Sequence, residues 1–169
     1  MIRKAVIDSG PLFSALALHF VFEEEALGQT ARFDSGLEEP LLTRTAQLGF
    51  LNLMRSIPEK LTTSHAIAEL HHLQRSRLKL HGPKLETFWQ TSIDLLRLWN
   101  LDERLIRLID ISQDLAPSIP ESGLVDTGLI DLARLNGCTL ITQDERTLAP
   151  LAWRLGVDCQ LVKQLVLVA

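Results

Sequence analysis

A chain of 169 residues suits one domain that can bury a sizeable core, and residues 1–169 are read as a single unit. An apolar content of 46% with few aromatics excludes a disordered chain, and no apolar run approaches the roughly 18 residues of a membrane span. A net charge of −4 argues against a dedicated electrostatic nucleic-acid binder, but not against an enzyme that carries its own acids.

The chain enters a strand-like run, Ala5-Val6-Ile7, directly after Met1-Ile2-Arg3-Lys4 and lacks the apolar core of a signal peptide. Asp8-Ser9-Gly10-Pro11 reads as the turn into a helix ending at His19 or Phe22. Residues 23–40 change character, with Glu23-Glu24-Glu25, Gly28, Gly36 and Pro40, and read as a polar loop. A helix is expected over about 41–56. Lys60 to Ser64 then forms a short second strand, with Ser64 as N-cap of a helix reaching about Leu80. Gly82-Pro83 ends that helix, and Lys84 to Trp99 forms the next. Arg104 to Ile111 alternates enough for a third strand, with helix as the competitor.

The loop Pro117–Gly123 leads to the most informative stretch, residues 124–144. Leu129, Ile130, Leu132, Ala133 and Leu135 recur at helical spacing, Asn136-Gly137 stops the helix, and Cys138 to Ile141 suits a covered strand. At about 100° per residue, Asp126 continues the stripe of Ile130 and Ala133, while Asp131 falls with Thr127 and Arg134 on an expected wet face. Leu148–Leu155 reads as a helix, Val157–Val162 as a last strand and Leu165–Val168 as an apolar tail. Cys138 and Cys159 have no CxxC-type partner and read as buried free thiols of a cytoplasmic protein. Strands alternating with helices give an α/β fold, a three-layer α/β/α domain around a mostly parallel sheet.

Four carboxylates stand out by position. Asp8 follows strand one, Asp144 follows the strand at 138–141, and Asp126 lies in the first turn of its helix. Glu69 shares a helical stripe with Ala66, Leu73 and Leu80. Each alone is explained as a cap, a turn residue or an ion-pair partner. If they converge, like charges cannot all stay ionised without a cation, so the set implies raised pKa values or a bound metal. Oxygen donors without thiolates suit Mg²⁺ or Mn²⁺ rather than zinc. Removing one charge, as in Asp144→Asn, is then expected to stabilise the metal-free fold.

Ala5-Val6-Ile7-Asp8-Ser9, Ala68-Glu69-Leu70, Asp126 seven residues before Ala133, and Leu140-Ile141-Thr142-Gln143-Asp144 together resemble the PIN-domain ribonuclease family. The ordered set spans nearly the whole chain, although no single motif is specific. The resemblance implies an acidic pocket with one or two Mg²⁺ or Mn²⁺ ions and hydrolysis of single-stranded RNA. It assigns the metal to Asp8, Glu69, Asp126 and Asp144, with Ser9 and Thr142 as small polar helpers. The segment 23–40 and the helix at 84–99 make the chain longer than compact toxin members, which leaves open a toxin role, an antitoxin protein partner and a homo-oligomer.

Other constellations compete less well. His65, Glu69 and His72 fall on one helical face, and Glu69-Leu-His-His holds a Glu-x-x-His spacing, but a di-iron bundle needs two such motifs. Arg75, Arg77, Lys79, His81 and Lys84 form the one dense basic patch, a solvated helix end by default and a phosphate-binding surface under the nuclease reading. No GxxxxGK[ST], GxGxxG or GxSxG signature occurs. The rival expectations are a catalytically silent RNA-binding or scaffold module and a DNA-directed, flap-type nuclease.

Overall fold

The computed structural model describes residues 2–28 and 43–168. Five strands form one sheet: β1 (Lys4–Ile7), β2 (Glu59–Thr63), β3 (Asp102–Arg104), β4 (Thr139–Thr142) and β5 (Cys159–Leu161). Their order is β3-β2-β1-β4-β5, and every pairing is parallel. The chain winds outward from β1 through β2 to β3, then returns to the other side of β1 for β4 and β5. The order therefore reverses between β1 and β4. At such a switch point the helices after adjacent strands leave toward opposite faces, which opens a crevice beyond the strand carboxyl ends.

Helices α1 (Ser9–Ala26), α2 (Arg44–Ser56), α3 (Ser64–Leu73) and α4 (Pro83–Leu98) cover one face, joined by α7 (Val162–Val168) after β5. Helices α5 (Ile119–Asn136) and α6 (Leu148–Arg154) cover the other. Alternation within the strands divides the core accordingly. Ala5, Ile7 and Ile141 join Phe13, Phe20, Phe50 and Phe88 on the first face, while Val6 and Leu140 pack with Leu129, Ile130 and Leu151 on the second. Burying each such large side chain contributes about 1.5–3 kcal/mol before entropy is counted. α1 is apolar nearly all round because it lies between the sheet and α2, α3 and α4. The three-layer α/β/α arrangement is the one expected. Among the described residues, no helix is long and apolar enough to cross a membrane.

Several local expectations are corrected. α1 starts at Ser9, directly after Asp8, and runs to Ala26, so Glu23, Glu24 and Glu25 are helical, and Glu24 is buried at 3.9 Å from Lys84. The rest of the expected polar loop, from 29 to 40, lies outside the described residues, as does the start of the helix expected from 41. Thr63, not Ser64, caps α3, through its hydroxyl on the Ala66 N–H at 3.1 Å. That helix ends in a π turn, Gln74–Leu78. The third strand is only Asp102–Arg104, and Leu108–Asp110 is a 3₁₀ turn. The expected loop 117–123 is largely helical, with 3₁₀ turn Ala116–Ser118 running into α5. The apolar tail forms α7 rather than following a strand that extends to Val162.

Candidate active site

The crevice holds Asp8 and Asp144 on either side of the switch point. Asp8 is the N-cap of α1: its backbone is extended, and its Oδ1 accepts the Ser9 N–H at 2.6 Å and the Ser9 hydroxyl at 3.3 Å. Its own N–H continues the sheet by donating to the Ile141 carbonyl at 3.1 Å. The Thr142 hydroxyl donates to Asp8 Oδ2 at 2.7 Å and accepts the Asp144 N–H at 3.0 Å. Thr142 is fully buried, and Ser9 nearly so. The two expected helpers thus both touch Asp8, and Thr142 ties β1 to the turn after β4.

Asp144 makes a second kind of contact. Its carboxylate accepts the backbone N–H groups of Arg146, Thr147 and Leu148 at 2.8, 2.9 and 3.2 Å. Arg146 lies in the turn before α6, Thr147 is its N-cap and Leu148 its first residue, so Asp144 braces the entry to that helix by accepting donors that lack helical partners. The expectation that losing its charge would stabilise the fold therefore meets an opposing contribution. Gln143 was not singled out in the sequence, yet its Nε2 donates to Ser14 Oγ in α1 at 3.0 Å. A cleft of about 620 Å³ opens over this constellation, lined by Asp8, Ser9, Gly10, Leu73, Arg77, Gln143, Asp144, Glu145 and Arg146.

Asp126 and Glu69 are not among the residues lining that cleft, but they are coupled to it by charge. Gly123 interrupts α5 with φ 85°, so the helix effectively restarts at Leu124 and places Asp126 in a new first turn. Burial first, then the charges of Asp8, Asp144 and Glu69, push the Asp126 carboxyl up to about 7. Burial likewise raises Asp8, helped by the Glu69 charge and opposed by hydrogen bonds from Thr142 and Ser9. Glu69 itself is exposed, so its expected place among apolar packing is corrected: Ala66 and Leu70 are the buried residues of α3.

The reading of α5 also changes. Asp131 and Thr127 are buried, not on a wet face. Asp131 accepts the N–H and hydroxyl of Ser112, both at 2.8 Å, and pairs with Arg134 at 3.3 Å. Thr127 is satisfied by the Gly123 carbonyl at 2.8 Å and by the Ser122 hydroxyl. Both polar side chains are buried because neighbouring loops supply their partners, which residue-type periodicity does not register. Of the basic patch, only Arg77 reaches the cleft; Arg75 and Lys79 are exposed away from it, and Lys84 lies beside Glu24. His65 and His72 form no ligand face with Glu69: among the described residues, no three His, Cys, Asp or Glu side chains form a group that could hold a metal ion.

That last fact applies to the carboxylates too, which do not stand as a ready-made ligand cage. Their chemistry nevertheless suits a hard dication. The donors are all oxygen, and the charges of Asp8, Asp144 and Glu69 add to burial in raising the Asp126 carboxyl, a repulsion that such an ion relieves. No family model matches the chain, and no curated protein matches it in sequence.

Proposed function

We propose that the protein is a metal-dependent endoribonuclease of PIN type, cutting phosphodiester bonds of single-stranded RNA. The observation that carries this reading is the meeting of Asp8 and Asp144 at the strand carboxyl ends through the Thr142 hydroxyl, beside an Asp126 carboxyl that burial, and then the charges of Asp8, Asp144 and Glu69, raise to about 7. Asp8, Glu69, Asp126 and Asp144 would hold a Mg²⁺ or Mn²⁺ ion, or a pair of them, which would supply Lewis acidity toward a phosphoryl oxygen and lower the pKa of water. The chain's own residues prepare that site. Thr142 and Ser9 fix the Asp8 carboxylate through both oxygens, which holds its orientation before substrate arrives. Asp144 is held by the N–H groups leading into α6, and Asp126 lies in the restarted first turn of α5.

A second reading is favoured by one observation: Asp8 caps α1, Asp144 braces the turn into α6, and among the described residues no three acids form a group that could hold a metal. On that reading the chain is a catalytically silent RNA-binding or scaffold module. Titration calorimetry with Mn²⁺ on wild type and Asp8→Asn, run beside cleavage of a single-stranded RNA and a matching DNA, separates the readings. The nuclease reading expects saturable Mn²⁺ binding that Asp8→Asn loses, together with RNA cleavage. Absence of Mn²⁺ binding by the wild type favours the silent module. Preferential cutting of DNA points to a flap-type nuclease. An antitoxin partner, self-association and a cytoplasmic setting accompany the proposal without adding to its support.

A further inference from the structure

The cleft that holds Asp8 and Asp144 is also lined by arginines from two different segments. Arg77 lies in the π turn after α3, which follows β2, and Arg146 lies in the turn between β4 and α6. In the sheet, β2 and β4 are the two neighbours of β1, whose end carries Asp8. The two arginine-bearing segments thus follow strands on opposite sides of β1, and both reach the cleft that Asp8 and Asp144 line.

Each segment has local features that bring its arginine to the cleft. In an α-helix, every four residues overshoot a full turn by about 40°, so Glu69, Leu73 and Arg77 would drift about 80° round the axis. A π turn closes its hydrogen bonds five residues back, here from the Lys79 N–H to the Gln74 carbonyl at 2.9 Å, so each residue advances less. The second half of the drift is reduced, and Arg77 stays beside Leu73 on the cleft wall. Arg146 leaves a turn fixed by its own N–H on Asp144 Oδ1. Its neighbour Glu145 is paired with Lys163, whereas the exposed Arg146 makes no ion pair among the described residues.

We propose that Arg77 and Arg146 hold the phosphates on either side of the scissile one in a single-stranded polynucleotide. This rests on the nuclease reading of the same site and adds a substrate requirement: the strand carries a backbone phosphate on both flanks of the cut. The acids repel a polyanion, while planar guanidinium forks bind phosphate oxygens in pairs. Cations on both flanks with acids at the centre match a strand that crosses the crevice and is cut at its middle.

The test is the affinity of a 12-nucleotide single-stranded RNA, by fluorescence anisotropy in EDTA across a salt series. Each phosphate contact on a single strand contributes about 0.7 to the slope of log affinity against log salt. Arg146→Ala is expected to weaken binding about tenfold and reduce the slope by about 0.7, and Arg77→Ala/Arg146→Ala to reduce it by about 1.4. Arg146→Lys should retain the slope, since the charge remains. Arg97→Ala, at an exposed position paired with Asp94 beyond this cleft, should change nothing. Melting curves for every variant separate lost contacts from lost folding. An unchanged slope in Arg146→Ala, with RNA bound, overturns the phosphate assignment and leaves the nuclease reading standing if Mn²⁺ still supports cleavage. The expected loss of slope in a protein that cuts nothing retains the phosphate contacts and overturns the nuclease reading. Failure of the wild type to bind RNA overturns both.

Discussion

The Thr142 hydroxyl donates a 2.7 Å hydrogen bond to the carboxylate of Asp8, a residue 134 positions away in sequence. The same oxygen accepts the Asp144 N–H, so one buried side chain fixes two of the four acids. Thr142→Val keeps the shape and removes both bonds, leaving a buried carboxylate oxygen without this donor. The expected cost is about 2 kcal/mol of stability, within the range for an unsatisfied buried polar group, together with a further rise in the Asp8 pKa. Thr142→Ser should restore most of both. Urea unfolding of the three proteins checks this, and a neutral Thr142→Val would remove Thr142 as the link.

Asp126 gives stability a pH dependence whose sign is fixed. Its folded pKa of about 7 lies above the ordinary carboxyl value, so the folded protein holds a proton that the unfolded chain releases. The contribution is fully present below about pH 4, declines as pH rises toward 7, and is lost above 7. Asp126→Asn has no such decline. The melting-temperature gap between variant and wild type, both metal-free, should therefore open between pH 4 and 7 in favour of the variant and level off above 7. A gap of about 2–4 °C corresponds to about 1 kcal/mol in a chain of this size. A flat difference across the range would show that the Asp126 carboxyl is not raised in the folded protein.

Asp144→Asn should behave in the opposite way. Relief of repulsion favours the variant, but three backbone N–H groups lose a charged acceptor at the start of α6. Hydrogen bonds to charged groups contribute about 1.5–3 kcal/mol, more than the relief expected in a partly solvated cleft. The metal-free melting temperature is expected to fall. A rise would mean that crowding among the acids outweighs the cap.

Asp131→Asn is expected to destabilise by about 2 kcal/mol, because a buried carboxylate that accepts Ser112 twice and faces Arg134 is weakened. RNA cleavage per folded molecule should persist, since Asp131 is bound to Ser112 and Arg134 rather than to the cleft. Chemical denaturation and a cleavage assay below the transition separate the two effects.

What the sequence made legible follows a physical division. Asp8 and Asp144 were found because an apolar run followed by an acid marks the end of a covered parallel strand, and that end is also where a doubly wound sheet builds sites. β3 forms before the strand expected from Arg104 to Ile111, because Asp102-Glu103-Arg104 has no apolar signature and pairing with β2 alone makes it a strand. The wet face expected of α5 is buried for a related reason. Thr127 and Asp131 are polar by type, but Gly123, Ser122 and Ser112 make them compatible with burial. Arg77 could be named from charge density, whereas its separation from Arg75 and Lys79 depends on the π turn.

Gly10 and Gln143 provide a test of the joint between α1 and the Asp144 turn. A Cβ on Gly10 would lie 2.9 Å from Gln143 Oε1, too close without movement, while Gln143 Nε2 is engaged with Ser14. Helix propensity predicts that Gly10→Ala stabilises by up to about 1 kcal/mol, since alanine loses less backbone freedom. The contact predicts the reverse, because the Gln143 amide must swing and give up its bond to Ser14. The side chain is flexible, so the net cost should be modest, about 0.5–1 kcal/mol. In a Gln143→Ala background the obstruction is gone, and Gly10→Ala should become stabilising. The sign change in this double-mutant cycle reports direct coupling of the two residues. Additive effects would mean that the turn carrying Asp144 rests on α1 without help from the Gln143 amide.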